Sequence, residues 1–463
     1  MRSEKWASPG PRATLALAAV VLLYTFLIRI WGIDRHFWLL GDQIRDWAIA
    51  LGPLGDLPLV GTPQHVGGYA LGPVHYWVLW LIRVTIGPWF DNLPHAGGLG
   101  LAFLQSMADA LLFVAVWRRL GSACLAVAVV VVVASAPYDL ALSATIWNPV
   151  LATALAKTAM ALVLLGWPGS ARWKAAVVTA VAWLVVQAHL PGLYVTACIL
   201  SWLVLRPLLE RRRREVGATL LVATAVVLAL QLPYFVHRSR EVAGQNAQSP
   251  VASSLDAAVR GAAALRLSGS AASLANAIDL IQVEPWRLTA TGWVFALCAG
   301  VVLISRRREP DLLAVTVGPV AAALAGFAVW AGEYDHYYYL TLMPAVVLTT
   351  GLALHHVTPA RWRPGLAAAL AAAAILAQPA RIRAAAGIHR MPAYEAILRA
   401  SRHMVARGEP VRAIAAEFLP ATSDPTFLYR ILGGRVDPEA EWTAVVTPDG
   451  AVAYRRTGSP RRP

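Results

Sequence analysis

Long apolar runs set the rhythm of this chain, and short clusters rich in arginine, proline, glycine and histidine separate them. A helical membrane span needs about 20 mostly apolar residues. Runs of that kind predict spans near residues 13–31, 72–89, 98–117, 122–136, 149–167, 175–188, 190–205, 216–235, 289–305, 311–331, 338–354 and 364–378. They lack the period-two alternation of a membrane β-barrel, so the expected fold class is an all-α polytopic membrane protein. The pattern changes from about residue 381. There "AYEAILRASRHMVARG" has amphipathic helical spacing and stops at Gly408, a residue suited to a helix C-cap, while "EWTAVVTPDGAVAYRR" reads as two strands joined by a Pro-Asp-Gly turn. The expected organisation is a helical transmembrane domain, residues 1–380, followed by a small α/β domain, residues 381–463. Outward loops are expected at about 32–71 and 236–288.

Composition agrees with the pattern: 58% of residues are hydrophobic, 14% are charged, and the mean hydropathy is +0.56, which excludes an ordinary soluble enzyme. A net charge of +14 would suit nucleic acid, but much of it lies in short loops beside spans, "RPLLERRRRE", "SRRRE" and "HHVTPARWR". That is the positive-inside pattern of cytoplasmic loops in a multi-pass plasma-membrane protein, and no nucleic-acid partner is expected. These loops put Val236 to Arg287, "GEYDHYYY" and everything after about Ala380 on the opposite side, the tail's own arginines notwithstanding. Arg2, Lys5 and Arg12 ahead of the first run argue for a cytoplasmic N-terminus and an odd total of about 11 or 13 crossings. Counting back from "RPLLERRRRE" makes "WRRLG" cytoplasmic, whereas counting forward makes it external, so one span in the first third is miscounted. The first run shows no small-x-small cleavage site before "RIWGIDRHF" and reads as retained. Cys124, Cys198 and Cys298 lie in apolar runs without CxxC spacing and read as small core residues.

Charge next to a bilayer is costly, so it usually pairs, lines a cavity or does chemistry. The first such place is "LLGDQIRDW", with Asp42, Arg45 and Asp46 just after the first run. In a helix the two carboxylates, four residues apart, share a face; capping, pairing with Arg45 or snorkelling of Arg45 are the structural alternatives. His65 and His75 flank a glycine-rich turn. With the aspartates they offer ligands for a divalent ion, but the spacing matches no metal signature and no cofactor is assigned. Tyr76 and Trp77 suit either a site or an interfacial aromatic belt, and His189, beside Pro191 and Gly192, falls in a polar break where core packing and substrate contact compete. Arg238 and Arg240, beyond "LPYFV", suit a lipid phosphate or a solvated loop. In "EYDHYYYL" an aromatic belt accounts for Tyr337, Tyr338 and Tyr339, but less easily for Asp335 and His336.

"GDQIRDW" resembles the acidic motif in the first outward loop of GT-C glycosyltransferases, the polyprenyl-phosphate-sugar enzymes that include protein O-mannosyltransferases and lipid A aminoarabinose transferases. In that family an Asp, usually followed by Glu and then by Arg and Tyr, comes just after the first span. Here Asp42 takes the Asp position, Gln43 replaces Glu, Arg45 matches Arg, and Asp46 stands where Tyr is common. "GGYALGPVHYWVLW" resembles the family's Pro-Pro-Leu-Tyr-Tyr-Trp start of the second span, without the usual preceding Lys. "SATIWNP", "VVQAHLPGL", "LQLPYFVH" and "HYYYLTLMPAVVL" also look like segments of bacterial members, so the resemblance covers roughly residues 15–355 and rests on motif order and a shared membrane face. It implies a GT-C-like core and an inverting glycosyltransferase. The donor would be a polyprenyl-phosphate-linked sugar, and the acceptor a cell-envelope lipid, glycan or protein at the outer face of the plasma membrane.

Physical chemistry leads the same way. A sugar on a long isoprenoid phosphate stays in the bilayer, so its transferase must present polar groups at the membrane surface beside an apolar groove. Inverting transfer needs a carboxylate to take the acceptor's proton and cations or hydrogen-bond donors to stabilise the departing phosphate. Asp42 is the candidate base, and Arg45 can orient either it or the phosphate. The competing class is a non-catalytic transporter or a degenerate lipid-phosphate-binding protein. A transporter is expected to show paired, broken spans in corresponding halves, and the sequence has no such symmetry.

Overall fold

The computed structural model describes residues 10–31, 33, 37, 41–63, 71–166, 171–241, 285–329, 336–380, 382–383, 393–408, 410–419 and 424–456, with the backbone alone for 137–138, 171, 238–241, 285–291, 327–329, 336 and 393. Helix α1 (Pro11–Ile30) opens on a proline, whose fixed φ suits a first turn, and packs along α4 (His95–Leu120), which is closed by Gly121 at φ 70. Between them lie α2 (Gly41–Leu51) and α3 (Val74–Thr85). The apolar run at 72–89 is therefore not a span. Its helix has 12 residues, about 18 Å at a rise of about 1.5 Å per residue, and gives way to a 3-10 turn, Gly87–Phe90, and two left-handed residues, Asp91 (φ 52) and Asn92 (φ 55).

That turn brings the chain back to the face from which α3 started. Trp47 Nε1 in α2 donates to the carbonyl of Asn92 at 2.8 Å, and Ile82 packs so closely on Gly100 that a Cβ there would come within 2.5 Å of it. One crossing thus leaves the first third, and the C-terminal end of α4 falls on the side of the basic loops. Arg119 closes the argument: its Nη2 lies 2.6 Å from Glu309 and 3.1 Å from Asp311, joining "WRRLG" to "SRRREPD".

The bundle continues with α5 (Ala123–Ala134), α6 (Pro137–Ser143), α7 (Asn148–Leu165), α8 (Ala171–Ala188), α9 (Leu193–Leu209) and α10 (Arg213–Glu241). It is completed by α11 (Pro285–Arg306), α12 (Pro310–Val315), α13 (Val317–Val329), α14 (Met343–Val357) and α15 (Arg363–Leu376). Among the described residues six helical stretches are long and apolar enough to cross a membrane: α1, α4, α7, α10, and α9 and α14 each with the 3-10 turn before it. The alanine-rich α7 and the glycine-rich N-terminal half of α4 form the centre, with 78% and 67% of their most apolar windows buried, whereas α1 and α10 are peripheral at 22% and 11%. Cys124 is exposed at the start of α5 and is not a core residue; Cys198 and Cys298 are half-buried.

Four charges sit inside this apolar centre. Arg29 of α1 reaches Asp109 of α4 and Asp139 of α6, both at 2.6 Å, and Lys157 of α7 reaches the same two carboxylates at 3.0 and 3.5 Å. None of the four side chains is more than 5% exposed. Ser106 Oγ accepts from Arg29 at 3.1 Å and Gln105 Oε1 accepts from Lys157 at 2.9 Å. Two positive and two negative charges cancel, which is how such a cluster survives burial.

In the tail, α16 (Ala393–Arg407) ends at Gly408, φ 71, as its spacing predicts, and packs on a three-stranded sheet. Strand β2 (Trp442–Val446) and β3 (Val452–Arg456) form the expected antiparallel hairpin, with Gly450 at φ 81 in the Pro-Asp-Gly turn. A short β1 (Ala413–Ala415) runs parallel to β2. The tail is thus a small α/β unit. Its Tyr394 hydroxyl lies 2.7 Å from His95 Nδ1 and its ring 4.9 Å from that of Phe37, so it docks where α4 begins.

Candidate functional site

The charges of "GDQIRDW" form the first turns of α2, and α3 packs against them. Arg45 is the hinge of the cluster. Its Nη1 donates to Asp42 Oδ1 at 2.8 Å, and its Nε and Nη2 lie 2.9 and 2.8 Å from Asp46 Oδ1. Tyr76 of α3 donates its hydroxyl to the same Asp46 oxygen at 3.3 Å, and His75 Nε2 lies 3.3 Å from the other, Oδ2, without hydrogen-bond alignment. The two carboxylates differ sharply: the Asp46 side chain is 1% exposed and that of Asp42 is 60% exposed. Burial works against the charge of Arg45, but Asp46 more than offsets it, and the guanidinium pKa is raised above its ordinary value. A buried carboxylate therefore holds a cation, and the cation holds a carboxylate that faces outward.

Polar residues at the ends of other helices reach the same face. The backbone at Gly72 lies against the side chain of Gln187, where a Cβ would come within 2.3 Å. Gln187 Nε2 donates to the carbonyl of Leu230 at 2.6 Å, and Gln231 Nε2 donates to that of Leu71 at 2.6 Å, stitching the start of α3 to α8 and α10. Two residues beyond Gln187, His189 breaks the chain between α8 and the 3-10 turn Leu190–Gly192. It is buried against the rings of Tyr337 and Tyr338, each 5.8 Å away, while Trp147 lies 4.6 Å from Tyr337. Burial lowers the pKa of His189 to about 3, so the ring is neutral, and its Nε2 has no hydrogen-bond partner among the described residues. Tyr339 is fully buried.

The structure thus brings Asp42, Arg45, Asp46, His75 and Tyr76 into one cluster and His189, Tyr337 and Tyr338 into a second. Arg238 and Arg240 lie in the last turn of α10, which continues to Glu241 where a loop was expected after "LPYFV". Their side chains, that of His336, and His65 and Asp335 altogether lie outside the described residues. Among the described residues no three His, Cys, Asp or Glu side chains gather closely enough to hold a metal ion. Gln187, Trp147 and Asn148, whose Nδ2 donates to the carbonyl of Ala188 at 2.8 Å, were not singled out from the sequence, although their segments were. Their signal is a polar or indole group beside a helix break, which gains meaning only when the breaks meet.

No protein-family model matches the chain. A comparison with curated proteins also gives no match. Solved structures do match. ArnT from Cupriavidus metallidurans bound to undecaprenyl phosphate is similar over 91% of this chain and 85% of its own, with 15% identity and a TM-score of 0.55. The apo form of the same protein is similar over 94% and 93%, with 14% identity and a TM-score of 0.57. The chain shares the ArnT fold.

Proposed function

Starting from that shared fold, we propose that this protein is a glycosyltransferase that moves a sugar from a polyprenyl-phosphate carrier to a cell-envelope acceptor, with inversion, at the extracytoplasmic face of the plasma membrane. The observation that carries the reading is the contrast between Asp46, buried and gripping Arg45, and Asp42, gripped by Arg45 and open to solvent. A base must be accessible to its substrate, and only Asp42 of the two carboxylates is open to solvent. The fold's occurrence in a protein bound to undecaprenyl phosphate supports the carrier class.

In this mechanism an acceptor hydroxyl or amine gives its proton to Asp42. Its freed electron pair attacks the anomeric carbon from the face opposite the phosphate, and the carbon–oxygen bond to the carrier breaks, leaving its electrons on the polyprenyl phosphate. Arg45 orients Asp42, and Asp46, with Tyr76 and His75 beside it, positions Arg45. The neutral His189 ring and the faces of Tyr337 and Tyr338 suit an uncharged sugar, while Arg238, Arg240, His336 and Asp335 would hold the carrier phosphate by charge and hydrogen bonding. His65, which precedes α3 in the sequence, would contact the same substrates.

The test is a mass-spectrometric comparison of envelope glycans and isoprenoid-phosphate sugars in wild-type and deletion strains. Loss of one sugar from the envelope, with accumulation of that sugar on its lipid carrier, is expected. Unchanged pools of both would refute transfer. A lipid-linked sugar that no longer reaches the outer leaflet would favour the transporter.

A further inference from the structure

On the face opposite Asp42, α9 and α10 form a tight antiparallel hairpin, and an apolar groove of about 280 Å³ runs between them. Leu200, Leu203 and Val204 line it from α9, and Leu220, Ala223 and Val227 from α10. The connecting turn is strongly basic. From Arg206 to Glu215 there are five arginines against two glutamates, and Arg211 adopts a left-handed φ of 58 to close the turn. Glu210 is engaged by Arg206 at 3.0 Å and by Arg212, and Glu215 is engaged by Arg212 at 2.5 Å. Both acids are therefore spent on two arginines. Arg211, Arg213 and Arg214 are exposed and form no ion pair among the described residues.

A fourth cation crowds the same rim. Lys174 Nζ lies 4.9 Å above the Trp202 ring, which Arg206 also faces at 5.8 Å. Burial and then the Arg206 charge lower the Lys174 pKa, against the opposing pull of Asp311 and Glu210. Groove and rim are also matched in depth. Leu220 and Val227 lie 7 and 14 residues beyond Arg213, about 10 and 21 Å along the helix, roughly the reach of acyl chains in one leaflet when the headgroup sits at the turn.

We propose that this hairpin is a binding site for an anionic phospholipid of the leaflet on the basic-loop side, with its acyl chain in the α9–α10 groove and its phosphate at Arg211, Arg213, Arg214 and Lys174. The site is independent of sugar transfer, because the basic turn lies at the opposite end of α10 from Gln231 and the α3 contact. A basic pocket between helices at the membrane surface is the usual chemistry for recognising such headgroups.

Full-length protein in mixed micelles would be titrated with phosphatidylglycerol or phosphatidylcholine, and bound lipid counted by native mass spectrometry alongside thermal melting. Phosphatidylglycerol should be retained and raise the melting temperature where phosphatidylcholine does neither. The Arg211→Gln, Arg213→Gln, Arg214→Gln triple variant should lose at least tenfold in apparent affinity while melting normally without lipid. Ala223→Trp, which fills the groove and leaves the charges, should lose binding as well. Equal retention of both lipids, an unaltered phosphatidylglycerol preference in the triple variant, or displacement of the lipid by undecaprenyl phosphate would each overturn the assignment.

Discussion

Replacing Asp42 by Asn separates chemistry from folding more cleanly than any other change in the site. The side chain is 60% exposed and is ion-paired at 2.8 Å to an arginine that is itself 34% exposed. Such a pair contributes about 0–1 kcal/mol, and Asn retains an oxygen that can accept from Arg45, so folding should be nearly unaffected. A lost general base costs about a hundredfold or more in rate, equivalent to about 2.7 kcal/mol of transition-state stabilisation. Asp46→Asn should behave the other way round. It weakens charge-assisted contacts to a partly buried guanidinium, about 1.5–3 kcal/mol, so it lowers melting temperature first and transfer through misplacement of Arg45. The assay is restoration of the missing glycan in a deletion strain by each variant, normalised to membrane-inserted protein, with thermal melting and undecaprenyl phosphate binding of the purified proteins. Restoration at the wild-type rate by a well-inserted Asp42→Asn protein would refute the base assignment, and failure of that variant to insert would give Asp42 a structural role instead.

Other parts of the molecule give further expectations. In the buried charge cluster Asp109→Asn or Lys157→Met leaves unpaired charge in an apolar core and should cost about 3–5 kcal/mol, read as lost expression and a lower melting temperature; a normal melting curve would show that the cluster contributes nothing. His189 has a folded pKa of about 3 against an unfolded value of about 6.5, so its contribution is complete above pH 7 and is lost as pH falls from about 6.5 towards 3; His189→Gln should flatten the acid limb of melting temperature against pH. The Arg238→Ala, Arg240→Ala double variant should weaken undecaprenyl phosphate binding about ten- to a hundredfold, and equal affinity would remove both residues from the site. In a protein freed of its three native cysteines, an introduced cysteine at Asp449 should react with an impermeant alkylating reagent in intact spheroplasts while one at Arg213 should not; the reverse would invert the topology.

What could be read in advance follows from how local each feature is. Apolar runs and flanking arginines marked most helices, and Gly408 and "TPDG" marked the turns of the tail, because capping and turn chemistry are written in neighbouring residues. Residues 72–89 misled for a physical reason. Helix α3 buries Leu79 and Ile82 against the bundle while Trp77 and Leu81 face outward, so a short helix lying against other helices is apolar on both sides and reads as a span. The spacing of Asp42 and Asp46 put both on one side of α2, yet only the packing of Tyr76 and His75 decides which is sealed in. Arg29, Asp109, Asp139 and Lys157 come from four separate helices, and no spacing pairs them. The available hint was lone charges of both signs inside apolar runs. Likewise, His189 and Tyr337 are brought together only by the meeting of two helix breaks.

The buried cluster also constrains how the protein can be made. Asp109 and Lys157 lie midway along α4 and α7, and leaving either helix alone in lipid would expose a charge costing about 2.5–3.5 kcal/mol at the bilayer centre, whereas Arg29, in the last turn of α1, can snorkel to the interface. Helix α1 carries a cation whose two counter-charges are synthesised 80 and 110 residues later. Insertion therefore favours a waiting step: α4 stays against α1, where Arg29 neutralises Asp109, until α6 and α7 bring Asp139 and Lys157, the remaining pair. The N-terminal third would then leave the translocon as a preassembled unit and not helix by helix.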